Sequence, residues 1–219
     1  DPAVDLSNVE IAGTVTLERG ASANDDVFSA GLAGSGVEYQ LDGDASTSGE
    51  FVLVAEGPDA TGTATVKGFA VGDATNGHDV IDFSNFTNVN GGIDFISTST
   101  DLSENPIENG DLLVFRSSSV ESADTIAAAF GVSTDSDFVG SGAVNDLLEE
   151  NDELIFGLRA IVEDAPGEFV QNTNFWHWKD EDSGGDVDTN ELSKVVTLYD
   201  FETADLTADN IILSADGVT

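Results

Sequence analysis

The sequence predicts a mainly β protein, an antiparallel β-sandwich or a set of β-rich stacked sheets with two short helices, arranged as one or two β subdomains. Three observations predict it. Apolar and polar residues alternate in short runs, as in half-buried strands. Gly, Asn, Asp and Ser bound those runs and supply turns. Finally, 40% of the 219 residues are hydrophobic, more than a charged disordered tail carries.

The runs fall at 9–17, 37–41, 51–55, 64–70, 80–83, 93–97, 112–116, 154–162, 169–179, 194–201 and 210–214. Two segments break the period. Ser122 is placed to cap a helical run through Ile126, Ala127, Ala128, Ala129 and Phe130 that Gly131 ends. Val144, Leu147 and Leu148 keep helical spacing after Gly142. Both are expected to pack over a sheet. "DLSENPIENG" at 101–110, with Pro106 inside it, marks the expected division into a β-rich N-terminal part, 1–100, suited to assembly, and a β-rich C-terminal domain, 101–219. No fixed-period repeat is legible; "ANDDVF" and "NGHDVI" resemble each other but stand apart as isolated half-units.

Charge narrows the function. Six Lys plus Arg against 43 Asp plus Glu give a formal charge of -37, so the folded chain repels itself unless cations bind. The same charge repels nucleic acid and anionic lipid. With no Cys, neither disulfides nor thiol catalysis is available, and calcium is the substitute staple for a secreted acidic protein. No apolar run approaches the roughly 20 residues of a membrane helix, which argues against membrane insertion.

The segment "DEDSGGDVDTNE" at 180–191 carries the strongest chemical signal. It fits the twelve-position calcium loop, with Asp180 at position 1, Asp182 at 3, Gly185 at 6, Asp186 at 7, Val187 at 8, Asp188 at 9 and Glu191 at 12. A hard cation wants six to eight oxygens, so alternating carboxylates turn inward, a glycine permits the sharp bend and the last Glu offers two oxygens at once. Gly184 departs from the pattern at position 5, where another oxygen must serve. The expected context is a strand before the loop, not a helix. A solvated acidic turn is the competing reading. Asp79, after Asn76 and Gly77, is a further candidate ligand; the pairs Asp25/Asp26, Asp42/Asp44 and Asp135/Asp137 offer less.

"VGDATNGHDVIDFSNF" at 71–86 resembles the segment of RTX-type and S-layer proteins of Gram-negative bacteria where calcium repeats give way to a C-terminal domain. The stretch 112–213, with "ADTIAAAF", "FWHWKDEDSGGDVDTNEL" and "VVTLYDFETADLTADNIIL", is similar to that domain. The resemblance implies export by type I secretion with an uncleaved C-terminal signal, and a role as S-layer, adhesin or matrix component.

The expectation is therefore a secreted, extracellular, calcium-binding structural protein of the cell surface, an S-layer, filament or biofilm-matrix subunit whose partner is a copy of itself. A carbohydrate-binding or adhesin module is the alternative, with Trp176 and Trp178 as a sugar platform on one face of their strand and Phe175 and His177 on the other. An enzyme is not expected: two unrelated His, no G-x-S-x-G and no phosphate loop leave no marked catalytic set.

Overall fold

The computed structural model describes residues 4–5, 14–17, 27–32, 37–41, 50–55, 63–71, 78–86, 88–96, 109–119, 152–181 and 189–213. Its strands are β1 (Val4–Asp5), β2 (Thr14–Leu17), β3 (Val27–Leu32), β4 (Glu38–Leu41), β5 (Glu50–Ala55), β6 (Ala64–Lys67), β7 (Val80–Asp82), β8 (Ile93–Ile96), β9 (Leu112–Ser119), β10 (Glu153–Ala165), β11 (Glu168–Lys179), β12 (Leu192–Tyr199) and β13 (Ile211–Ile212). The two helical expectations lie outside the described residues.

The mainly β class holds, but its pairing is largely parallel. Odd-numbered strands up to β7 enter a five-stranded sheet of order β1-β3-β5-β7-β13, and even-numbered ones enter an eight-stranded sheet of order β2-β4-β6-β12-β11-β10-β9-β8. The chain thus alternates between two sheets and coils forward, each strand lying parallel to the one before last. One turn of the coil takes 23 residues at the pair Phe28↔Phe51 and 28 at Leu53↔Ile81. That periodicity lives in backbone spacing and leaves no repeated sequence, which is why no repeat was legible. Among the described residues, antiparallel pairing is confined to β10 with β11 and β11 with β12.

After β7 the coil is interrupted by β8 to β11 and then resumes: Val196 of β12 pairs with Ala64, and Ile211 of β13 with Ile81. Ile93 of β8 pairs with Leu112 of β9. Strands from both sides of residue 100 therefore share both sheets, so the division expected there does not separate them.

One apolar cluster lies between the sheets. Tyr39, Leu41, Val66, Val196 and Leu198 of the larger sheet meet Leu53, Ala55 and Ile81 of the smaller one, all 2% exposed or less. Phe83 bridges them, its ring 5.2 Å from Phe175 and 6.0 Å from Phe86. Strands β9 to β11 are buried on the second face as well, through Leu113, Phe115, Leu154, Phe156, Leu158 and Trp178. Burial on both faces explains the unbroken apolar runs "LLVF" and "LIFGL".

Candidate metal centre

Strand β11 alternates as expected. Phe175 enters the inter-sheet core and His177 lies against Phe86, with ring centroids 4.9 Å apart. Trp176 and Trp178 take the opposite face, but they are only 9% and 0% exposed. A sugar platform needs an open ring face, so the pair cannot serve as one. The missing information was the second buried face of the sheet.

β11 ends at the mouth of the 180–191 loop. Asp180 is fully buried, and its amide donates to the Asp152 carbonyl at 3.0 Å, which fixes the first loop residue to the start of β10. A single 3₁₀ turn, Thr189–Glu191, leads from the loop into β12. Glu191 is 6% exposed and both its oxygens are engaged: the Trp178 indole Nε1–H donates to Oε2 at 3.0 Å and the Glu181 amide donates to Oε1 at 3.0 Å. The second of these bonds closes the neck of the loop across its own ends. This anchoring fixes the orientation of the carboxylate that stands at loop position 12.

Of the expected ligands, the structure thus brings Asp180 and Glu191 to the two sides of one neck. Asp182, Asp186 and Asp188 lie outside the described residues, as do Asp25, Asp26, Asp42, Asp44, Asp135 and Asp137. Among the described residues no three His, Asp or Glu side chains form a metal-binding group. The donors in hand are all hard oxygens, the type that calcium takes. Asp79 belongs to the other sheet, at the start of β7. It is fully buried, its Oδ2 accepts from the Ala70 amide at 2.7 Å, its amide donates back to the Ala70 carbonyl at 2.9 Å, and its own carbonyl accepts from Asn210 Nδ2 at 3.0 Å. These bonds give it a structural task, latching the turn before β7 to the one before β13.

Beside the neck stands a polar cluster that sequence reasoning missed. Glu153, at the first position of β10 and 2% exposed, accepts from Asn88 Nδ2 at 2.8 Å, meets His177 Nε2 at 3.2 Å and lies 3.4 Å from Lys179 Nζ. Its amide donates to Asn109 Oδ1 at 3.0 Å and its carbonyl accepts from the Gly110 amide at 2.9 Å. One residue so ties the approaches to β8 and β9 to strand β11. Burial pushes the Glu153 carboxyl pKa up, but the Asn88 bond, the adjacent His177 and the Lys179 charge outweigh it and hold the group below its usual value. Burial lowers the His177 pKa and prevails over the opposing pull of Glu153, aided by Lys179. Finding this pair from sequence would have required the register that sets Glu153 opposite Lys179.

The approaches need glycine. Gly110 has φ +88°, and a Cβ there would lie 2.6 Å from the Asn88 carbonyl; at Gly91 it would lie 2.4 Å from Asp111 Oδ1. That same oxygen accepts from the Gly92 amide at 2.8 Å.

No protein-family model, curated protein or solved structure matches this chain. Its site is therefore read from its own residues.

Proposed function

We propose that the chain is a secreted, calcium-stabilised structural protein of the bacterial cell surface, an S-layer, extracellular filament or biofilm-matrix subunit that assembles with copies of itself and catalyses no reaction. The observation that carries this reading is the closed neck of the 180–191 loop. Two carboxylates at calcium-loop positions 1 and 12 are held buried at its two sides, and Glu191 is oriented through both oxygens. Burying such groups in a chain of charge -37 is costly without a counter-charge. A divalent ion in the loop supplies it.

The resemblance of 71–86 and 112–213 to RTX-type and S-layer proteins supports the same reading and adds type I secretion. So does the coil, since stacked parallel turns suit extended surface structures.

The test is calcium titration with EDTA reversal, followed by Trp fluorescence and circular dichroism. At ten times the dissociation constant, each site adds about 1.4 kcal/mol to stability. Asp182→Ala, which removes the side-chain oxygen at position 3 and leaves the described core untouched, should abolish most of that gain. Identical melting with calcium and with EDTA would remove the basis of the proposal.

A further inference from the structure

Glu153 joins two side chains whose own chemistry is complementary. Lys179 Nζ lies 3.4 Å from its Oε1, and Asn88 Nδ2 donates to that same oxygen at 2.8 Å. An amine and a carboxamide thus share one carboxylate oxygen. The other oxygen faces His177 Nε2 at 3.2 Å, and the buried His177 ring lies in turn against Phe86.

The backbone holds all three residues in place. Antiparallel register sets Lys179 opposite Glu153, where cross-strand side chains meet. Phe86 and Val89 on either side of Asn88 are buried, and the Val89 amide donates to the Phe86 carbonyl at 2.9 Å. The Asn88 carbonyl packs so closely on Gly110 that a Cβ there would lie 2.6 Å from it. Fixing two reacting groups in this way replaces their encounter in solution. The Lys179 side chain is 41% exposed, which leaves the amine room to swing from Oε1 to the neighbouring Cγ of Asn88.

We propose that Lys179 and Asn88 join in an intramolecular isopeptide bond, with Glu153 as the acid–base group. Lys179 first passes a proton to Glu153 and becomes a neutral amine, which is nucleophilic. Nζ attacks Asn88 Cγ, the Cγ–Nδ2 bond breaks, and Glu153 hands the proton to the leaving nitrogen. Nζ loses two protons in all and the departing nitrogen gains two. The products are a side-chain amide and ammonium, and nothing is oxidised or reduced. The first transfer is uphill, because ammonium and carboxylate stabilise each other's charge, so the reaction is slow; loss of ammonia makes it irreversible. It is a single self-modification of each chain, with no substrate turned over. The contacts of Glu153 described above are those of the chain before the bond forms.

The bond would be a covalent staple in a chain that has no Cys. It would tie the approach to β8 to the end of β11, beside the loop neck, and restrict the unfolded chain as a disulfide does. It needs no cation, so it stands or falls apart from the calcium reading.

Mass spectrometry of the folded chain, incubated in calcium and in EDTA alike, tests it. The wild type should be lighter by one ammonia under both conditions. Trypsin, which needs a free lysine, should leave the chain uncut after Lys179 and release Asn88 and Lys179 in one branched peptide. Lys179→Arg keeps the charge beside Glu153 without the amine, and Glu153→Gln removes the acid–base group. Circular dichroism checks that each is folded, and both should have full mass. A succinimide at Asn90–Gly91 or Asn109–Gly110 would also expel ammonia, but it would persist in Lys179→Arg and leave Lys179 open to trypsin. A wild type of full mass after prolonged incubation, a deficit retained in either variant, or complete cleavage after Lys179 would overturn the inference.

Discussion

Glu153→Gln isolates the polar cluster beside the loop neck. The carboxylate lies in a site 3% exposed, accepts a short bond from Asn88 and faces His177 and Lys179. Glutamine keeps the shape and one acceptor oxygen, enough for Asn88, but turns an amide N–H₂ toward one of the other two groups. A hydrogen bond to a buried charge is worth about 1.5–3 kcal/mol and a neutral one about 1 kcal/mol. Lys179 is 41% exposed, so solvent screening leaves its pairing worth about 0–1 kcal/mol. The expected loss at pH 7 is therefore about 1–2 kcal/mol, against about 3–5 kcal/mol for Glu153→Ala, which strands buried partners. The pH profile checks the cause. Glu153 has a lower pKa in the fold than in the unfolded chain, so its contribution is whole above pH 4.5 and is lost as pH falls through the lowered value. His177 is also lowered: below pH 6.5 the unfolded chain takes a proton that the fold resists, and stability falls with pH there too. Urea unfolding from pH 7 to pH 3, followed by Trp fluorescence, should show the wild type losing stability through both windows and Glu153→Gln flattened in the lower one. A variant that matches the wild type in midpoint at pH 7 and in its acid slope would refute the reasoning.

Trp178→Phe removes the indole donor to Glu191 while filling most of the same volume; it should cost about 1–3 kcal/mol and weaken the calcium-induced rise in melting temperature. Gly110→Ala and Gly167→Ala separate strain from collision. Both positions have positive φ, +88° and +81°, but only at Gly110 does a Cβ meet backbone; Gly167→Ala should cost about 1 kcal/mol and Gly110→Ala clearly more, measured by thermal melts. The phenol of Tyr199 is pushed up to about 12 by its hydrogen bond to Asp164, with smaller help from burial and neighbouring acids; ultraviolet titration should show one of the two tyrosines ionising late, and Asp164→Asn should bring it down.

Much of the strand inventory was legible because burial imposes a period of two. β2, β4 to β7 and β10 to β13 all overlap their predicted runs, as do β8 and β9. The two strands missed have physical reasons: β1 is two residues long, and β3, "VFSAGL", carries Ser and Gly where alternation would show. Pairing direction was not legible, since a strand with one buried face alternates identically beside a parallel or an antiparallel neighbour. The candidate site was half legible. Calcium-loop spacing pointed to Asp180 and Glu191, which the structure sets at the neck, whereas Glu153 and His177 are 24 residues apart and meet only through register. The same gap explains Trp176 and Trp178: alternation placed them correctly on one face, but a single strand does not disclose that this face is covered.

The interrupted coil explains why the neck and the polar cluster occur together. The coil's own strands close onto one another, β6 to β12 and β7 to β13, so the inserted strands add to the larger sheet through its β12 edge alone. Their approaches must then be tied from one end: the Asp180 amide to the Asp152 carbonyl, the Gly110 amide and Asn109 to Glu153, and Glu153 to Asn88 and His177. The 180–191 loop is the link between this insertion and β12, where the coil resumes. A cation in that loop would therefore act on more than twelve residues. By drawing Asp180 and Glu191 together it would brace the junction of insertion and coil, and calcium removal should loosen β10 and β11 before β4 to β6. Hydrogen exchange in calcium and in EDTA separates the cases: protection lost first at 153–179 supports a brace at the junction, whereas uniform loss across both sheets would place the ion's effect on net charge alone.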